Sequence, residues 1–216
     1  MTTQSYTESR VRLGNRTAFD DDGAMRDPAS PMRCFGSGDP LYETYHDDEW
    51  GVPVHGEREL FERVVLEGFQ CGLSWSIVLK RRDGLREAYA GFDPEVLATW
   101  GDDDVERLMT DDRVFKNRQK IRSAITNARA LLSLHNDGQT LDDLVWSLRP
   151  QIHDRPVTFD DVQTRSPEGD DLARRLKRAG FTFVGPVTAH ATLQAVGVFN
   201  DHLVDCPAGD AIAALG

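Results

Sequence analysis

Apolar residues recur at helical spacing from Glu57 onward, where Leu60, Phe61, Val64, Val65 and Gly68 stand one, three and four apart, as on one face of a buried helix. Ser74 is a helix-capping residue type ahead of Trp75, Val78 and Leu79, so a second helix is predicted there. Asp93-Pro94 places a proline at the first helical position after a cap and starts a short helix through Trp100. Val105, Leu108 and Met109 mark another amphipathic helix, and Ile121, Ala124, Ile125, Ala128, Leu131 and Leu132 a longer one, with a connector over 111–117 between them. Thr140 caps a segment through Leu148, Pro150 and Pro156 bracket a loop, Ser166-Pro167 opens a helix ending at Gly180, and the last clear helix covers 186–197. No segment alternates apolar and polar residues for the length of a strand, and no repeat is visible, so the predicted fold class is all-α. Residues 1–32 are rich in Thr, Ser, Asp, Gly and Arg without periodicity and read as a disordered tail. The folded domain is expected over 33–207, with 208–216 as a C-terminal tail.

With 216 residues, 39% of them hydrophobic, the chain can bury a sizeable core in one or two small domains. No apolar run approaches the roughly 20 residues needed to cross a bilayer, and residues 1–20 lack the hydrophobic stretch of a secretory signal, so a cytoplasmic protein without a membrane partner is expected. Charge runs against a nucleic-acid partner: 25 basic against 36 acidic residues leave −11, whereas a DNA-binding surface needs local positive potential. The acid is clustered, however, at 20–22, 102–104, 111–112, 160–161 and 170–171, and basic clusters stand apart at 80–82, 116–122 and 174–178. Each basic cluster reads either as a solvated helix face or as a local phosphate contact.

Three cysteines, an odd and scattered number, argue against a disulfide framework. Cys34, His46, His202 and Cys206 are four residues of zinc-binding type, and the spacing of His202 and Cys206 lets both face one point from a helical turn. Such a shell would fill all four tetrahedral positions with protein and be structural; the other reading is buried or exposed cysteines beside surface histidines. Cys71 is expected to be a small buried residue, and His55, His135, His153 and His190 to be structural or solvent-facing. A second constellation is Tyr42, Tyr45, Glu67 and Trp75, a carboxylate among large aromatics. Glu67 follows the apolar run Val64-Val65-Leu66, where an ionised carboxylate is costly without a partner, so it either reaches water or awaits a ligand. Flat apolar faces with one acceptor are what a nucleobase pocket needs, and also what an ordinary aromatic core beside a solvated glutamate looks like.

Between these readings the order of longer motifs decides. Arg33-Cys34 is followed by Asp39-Pro40-Leu41-Tyr42 and by Tyr45-His46-Asp47-Asp48-Glu49-Trp50-Gly51-Val52-Pro53. Then come Leu66-Glu67-Gly68-Phe69-Gln70-Cys71-Gly72-Leu73-Ser74-Trp75 and Asn200-Asp201-His202-Leu203-Val204-Asp205-Cys206. In this order, over about 33–207, the chain resembles the DNA-3-methyladenine glycosylase I family. The resemblance implies a helix-hairpin-helix fold, one structural zinc ion on Cys34, His46, His202 and Cys206, and a monomer that excises N3-methylated adenine from alkylated double-stranded DNA. It implies that Glu67 and Tyr45 hydrogen-bond the flipped base, that Trp75 stacks on it and that Tyr42 lines the pocket. The hairpin would lie near 111–120, with Lys116, Asn117 and Arg118 on backbone phosphates and Gly72-Leu73 as the wedge left in the duplex.

The implied chemistry asks little of the protein. Methylation at N3 makes the base cationic, its glycosidic bond is already weak, and a buried negative Glu67 would attract the lesion over neutral adenine. Glu67 is therefore the one residue assigned a catalytic role, and no aspartate joins it. Many relatives carry a tryptophan two residues after the first cysteine, where this chain reads Phe35-Gly36-Ser37-Gly38; Phe35 is expected to supply that wall. A zinc-stabilised DNA-binding module without excision is the alternative, and a glycosylase for another lesion, such as 3-methylguanine, is a third.

Overall fold

Among residues 32–215, which the computed structural model describes, every regular element is a helix, as the periodicity predicts. The expected tail over 1–32 lies outside the described residues except for Met32. In chain order the helices are α1 (Pro40–Asp48), α2 (Glu57–Gln70), α3 (Trp75–Ala88), α4 (Pro94–Ala98) and α5 (Asp102–Thr110). They continue with α6 (Arg118–Asn136), α7 (Leu141–Trp146), α8 (Pro167–Arg178), α9 (Pro186–Ala195) and α10 (Pro207–Ala213).

Local chemistry sets the helix starts. Side chains of Asp39, Asp93, Asn117, Thr140 and Ser166 accept from the free N–H groups of α1, α4, α6, α7 and α8, which otherwise have no intrahelical partner. Ser74 has the extended backbone of a cap but makes no such bond. Prolines occupy the first turn of α1, α4, α8, α9 and α10, where the missing N–H costs nothing.

Two helices depart from expectation. α1 presents no aliphatic stripe because its buried positions are Tyr45 and His46. Residues 207–213, expected within or beside a tail, form α10, whose Ile212 is buried; seven residues are too few to show a period. The predicted helices ending at Trp100, Leu148, Gly180 and Gly197 stop slightly earlier, the last at a glycine with φ +82°. Gly197 also lets the chain pass close by, since a Cβ there would lie 2.6 Å from the Gly51 carbonyl oxygen.

α2 forms the centre, packed by α3, α6, α7 and α9, while α4 lies on α6, α8 pairs with α9, and α1 rests between α3 and α10. Leu60, Phe61 and Leu66 of α2 are fully buried with Leu85, Leu97, Leu108, Ile121 and Leu131 from its neighbours, each worth about 1.5–3 kcal/mol of transfer free energy. Glu67 stands seven positions after Leu60 and three after Val64, so the same helical phase that buries those two residues carries its carboxylate inward. No helix of the described residues is long and apolar enough to cross a membrane.

Candidate active site and metal centre

Cys34, ahead of α1, and His46, in its last turn, meet Cys206, the cap of α10, and His202, which lies in the non-helical segment before it and not on the helical turn expected. All four are buried, and their donor atoms lie within 4.8 Å of one another. Cys206 Sγ is 3.6 Å from His46 Nε2 and 3.5 Å from His202 Nδ1, and Cys34 Sγ is 3.7 Å from His202 Nδ1. Bonds of about 2.0–2.3 Å to a central ion give tetrahedral edges of about 3.3–3.8 Å, so the set fits one metal ion.

The surrounding bonds prepare the donors. His46 Nδ1–H donates to Asp47 at 2.7 Å, and Asp47 is gripped by Arg33 at 2.6 Å, so Nε2 is the acceptor and takes the Cys34 N–H at 3.1 Å. His202 Nε2–H donates to the Trp50 carbonyl at 2.9 Å, leaving Nδ1 free. The Leu203 N–H donates to Cys34 Sγ at 3.2 Å. The Arg155 guanidinium donates to the carbonyls of His202 and Cys206 at 3.0 Å each, and also to that of Leu203. The Cys34 and Cys206 thiols lie against each other, and their hydrogen bond pulls Cys206 below its ordinary range while pushing Cys34 up.

An aromatic series leads from this centre to Glu67. Phe35 stands edge-on to His46 and Trp50, with centroids 4.9 Å away in both cases, and packs on Tyr42 at 5.0 Å and Tyr45 at 6.4 Å. Tyr45 in turn meets Trp75 at 5.3 Å. Phe35 thus packs against both tyrosines. Glu67 is 5% exposed, its Oε2 has no partner, and Trp75 Nε1 has none either. Burial pushes the Glu67 carboxyl up to about 8, against an opposing pull from the Arg63 guanidinium. A carboxyl held there is largely protonated near neutral pH. The same burial, reinforced by Glu67, holds the Tyr45 phenol well above its ordinary range, so it stays a donor.

Glu67 opens on a cavity of about 370 Å³ whose near side is Gln70, Cys71 and Leu73 and whose far side is 162–164 with Thr188, His190 and Gln194. Tyr42, Tyr45 and Trp75 do not line this cavity. The far side was not foreseen. His190 and Gln194 both point an N–H at the Gln163 carbonyl, at 2.9 and 3.3 Å, and Gln194 also donates to Asp201 at 2.7 Å. Asp201 pairs with His153 at 2.6 Å, so the non-helical wall is tied to the segment that carries His202. The other two histidines are paired as expected of structural residues, His135 with Glu57 at 2.5 Å and His55 with Asp142 at 3.1 Å.

The connector 111–117 joins α5 to α6 beside this cavity. Lys116, Asn117 and Arg118 are exposed; Lys116 pairs with Asp112 at 3.2 Å and Arg118 with Glu106 at 2.5 Å. Such exposed pairs contribute about 0–1 kcal/mol and exchange readily for phosphate. Asn117 uses its side-chain oxygen to cap α6. Gly72, at φ +76°, faces open space, and Leu73 lines both the Glu67 cavity and a groove of about 490 Å³ shared with Phe115, Lys116 and Lys120. Lys120 is buried and donates to the carbonyls of Phe69 and Cys71 at 2.7 and 2.6 Å, strapping the end of α2 to the start of α6. Cys71 is exposed, contrary to expectation, because the chain turns outward at Gly72.

Residues 35–209 match the family model described as methyladenine glycosylase. The chain is 43% identical over 178 residues to DNA-3-methyladenine glycosylase 1 of Escherichia coli (strain K12), covering 81% of this chain and 95% of that protein. A crystal structure of 3-methyladenine DNA glycosylase I superposes with a TM-score of 0.79 at 42% identity, covering 82% of this chain and 98% of that one. A second, of the Staphylococcus aureus enzyme and described as the structural basis of its 3-methyladenine recognition, gives 0.78 at 32% identity over 82% of this chain and 95% of that one.

Proposed function

We propose, because the chain belongs to the methyladenine glycosylase family, that it is a DNA-3-methyladenine glycosylase of base-excision repair, hydrolysing the N-glycosidic bond of 3-methyladenine in alkylated DNA. The observation that carries this reading is Glu67, a buried acceptor with an unpartnered oxygen beside a closed group of aromatic rings.

In this reading the lesion leaves the duplex and enters against Glu67, whose carboxylate accepts from the base's amine or ring N–H while the Tyr45 hydroxyl donates to it. Trp75 supplies the stacking face, and Tyr42 and Phe35 close the wall. The bond from the base nitrogen to C1′ breaks with its electron pair going to the cationic base, which departs neutral. Water adds to C1′ and its proton is released. Because the leaving group carries its own positive charge, no strong acid is required of the protein. An ionised Glu67 favours the cation electrostatically in a site from which water is excluded. Leu73, with Gly72 allowing its approach, fills the space left in the duplex. The α5–connector–α6 unit acts as the hairpin, with Lys116, Asn117 and Arg118 on the phosphates. Cys34, His46, His202 and Cys206 would hold one zinc ion, which supplies a structural cross-link between the two ends of the domain and no chemistry in the reaction. Action on chromosomal DNA suits a cytoplasmic protein.

The test is incubation of the purified protein with methylated DNA and chromatography of the released bases. Release of 3-methyladenine, abolished or severely reduced in Glu67→Gln, is the expected result. A folded protein that binds duplex DNA and releases no base would replace this reading with the DNA-binding module.

A further inference from the structure

Glu67 faces a physical conflict: its proposed partner is a cation, and the burial that creates the pocket keeps the carboxyl protonated. The neighbouring charges bear on this conflict. Arg63 lies four residues before Glu67 on α2, so the two side chains share one helix face. Its side chain is only 13% exposed, its Nη2 donates to Glu49 Oε2 at 3.0 Å, and its Nη1 is buried without a partner. Glu49 is not Arg63's alone, since Arg82 of α3 grips both of its oxygens at 2.5 and 2.7 Å.

The geometry points to Arg63 as a positioning residue that sets how readily Glu67 carries its negative charge. One carboxylate, Glu49, stands between two guanidinium groups, so Arg63, on Glu67's own helix face, keeps part of its positive charge unmatched. The other charged groups nearby belong elsewhere: Glu62 is bound by Arg86 at 2.8 Å, and both Glu62 and Asp83 act on Arg82. Tyr45 stays a neutral phenol; Cys71 and His190 line the cavity with Glu67, and burial holds the His190 imidazole below its ordinary range. Glu67 lines the cavity and Arg63 does not, so the guanidinium favours the carboxylate without meeting the ligand. In agreement, the Arg63 charge pulls the carboxyl of Glu67 and the phenol of Tyr45 downward against the effect of burial. Arg63 thus offsets part of the desolvation that an apolar side chain at this position would leave unopposed.

This role rests on the glycosylase reading of Glu67, but its test does not need DNA. The Glu67 carboxyl is titrated in the free, full-length protein by carbon-13 NMR with labelled glutamate, the signal being assigned by its loss in Glu67→Gln. Arg63→Met should move the Glu67 midpoint upward by about one pH unit or more, the usual effect of losing an opposite charge at this range. Arg63→Lys should restore most of that difference. Glu49→Gln should move the midpoint downward, because it unmasks positive charge beside Glu67. An unchanged midpoint in folded Arg63→Met, or an equal displacement in Arg63→Lys, would overturn the assignment. If Arg63→Met does not fold, Glu49→Gln decides alone: a downward move supports the role, and no move or an upward one sinks it. Excision by Glu67→Gln at the full wild-type rate would remove Glu67 from the reaction, and absence of base release by the wild type would defeat the glycosylase reading; either leaves the titration result standing.

Discussion

Excision should depend steeply on pH through Glu67, and the structure fixes both the sign and the window. The carboxyl is held at about 8 in the free protein. Only its ionised form favours a cationic base, so the competent fraction is about one in a hundred at pH 6, about one in ten at pH 7 and about nine in ten at pH 9. The substrate does not titrate in this range, because the methyl group fixes the charge on the base in DNA. The second-order rate of excision, measured in single turnovers at limiting enzyme and constant ionic strength, should therefore rise about tenfold per pH unit below pH 7 and flatten above 8. Constant ionic strength matters because DNA binding itself is strongly salt-dependent. Glu67→Gln should be flat across the range and slower than the plateau by about a hundredfold, the equivalent of roughly 3 kcal/mol for a buried charged acceptor. The same carboxyl should act on stability in the opposite sense. Its folded-state value is raised above the ordinary 4.5, so its contribution is fully present below 4.5 and is lost as pH rises toward 8, at about 1.4 kcal/mol per unit. Glu67→Gln should accordingly gain melting temperature over the wild type between pH 5 and 8. A wild-type rate profile without slope, or the same slope in Glu67→Gln, would refute the reasoning.

Three further outcomes follow from the geometry. Chelation of the metal, or Cys206→Ala, should lower the melting temperature sharply, since a structural zinc site carries on the order of 10 kcal/mol of apparent binding free energy; calorimetry showing full stability without metal would remove the site. Neutralising Lys116 and Arg118 together should weaken binding to any duplex and reduce the salt dependence of log K by about 0.9 per lost phosphate contact, and an unchanged slope would take the connector out of the interface. Lys120→Met leaves the buried Phe69 carbonyl without its donor, so it should cost about 1–3 kcal/mol in denaturant unfolding and slow excision more than it weakens DNA binding.

What could be read from the sequence is what the chain encodes locally. α2 and α6 announce themselves because their buried residues are aliphatic and regularly spaced. α1 does not, because what it buries is a tyrosine and a metal-type histidine. The four donors were legible as residue types in a family order, and their convergence is a tertiary fact borne out by their spacing. Glu67 was legible as an anomaly in an apolar run, but its protonation was not, since that depends on how completely neighbours exclude water. The wall at 162–164 carries no period and no signature; hydrogen bonds from His190 and Gln194, distant in sequence, put it there. Lys120 shows the same difficulty, for it sits in a run of surface cations and folds inward onto two carbonyls.

The pairing of Cys34 with His202, 168 positions apart, also bears on how a copy of this protein is made. During synthesis, a nascent chain that has not yet delivered His202 and Cys206 has only Cys34 and His46 of the four donors. The α1 segment then has its aromatic face uncovered, although most of the helical core is already out of the ribosome. Arrival of His202 and Cys206 covers that face. A copy that stops short of Cys206 therefore leaves the Cys34–His46 side of the domain uncovered.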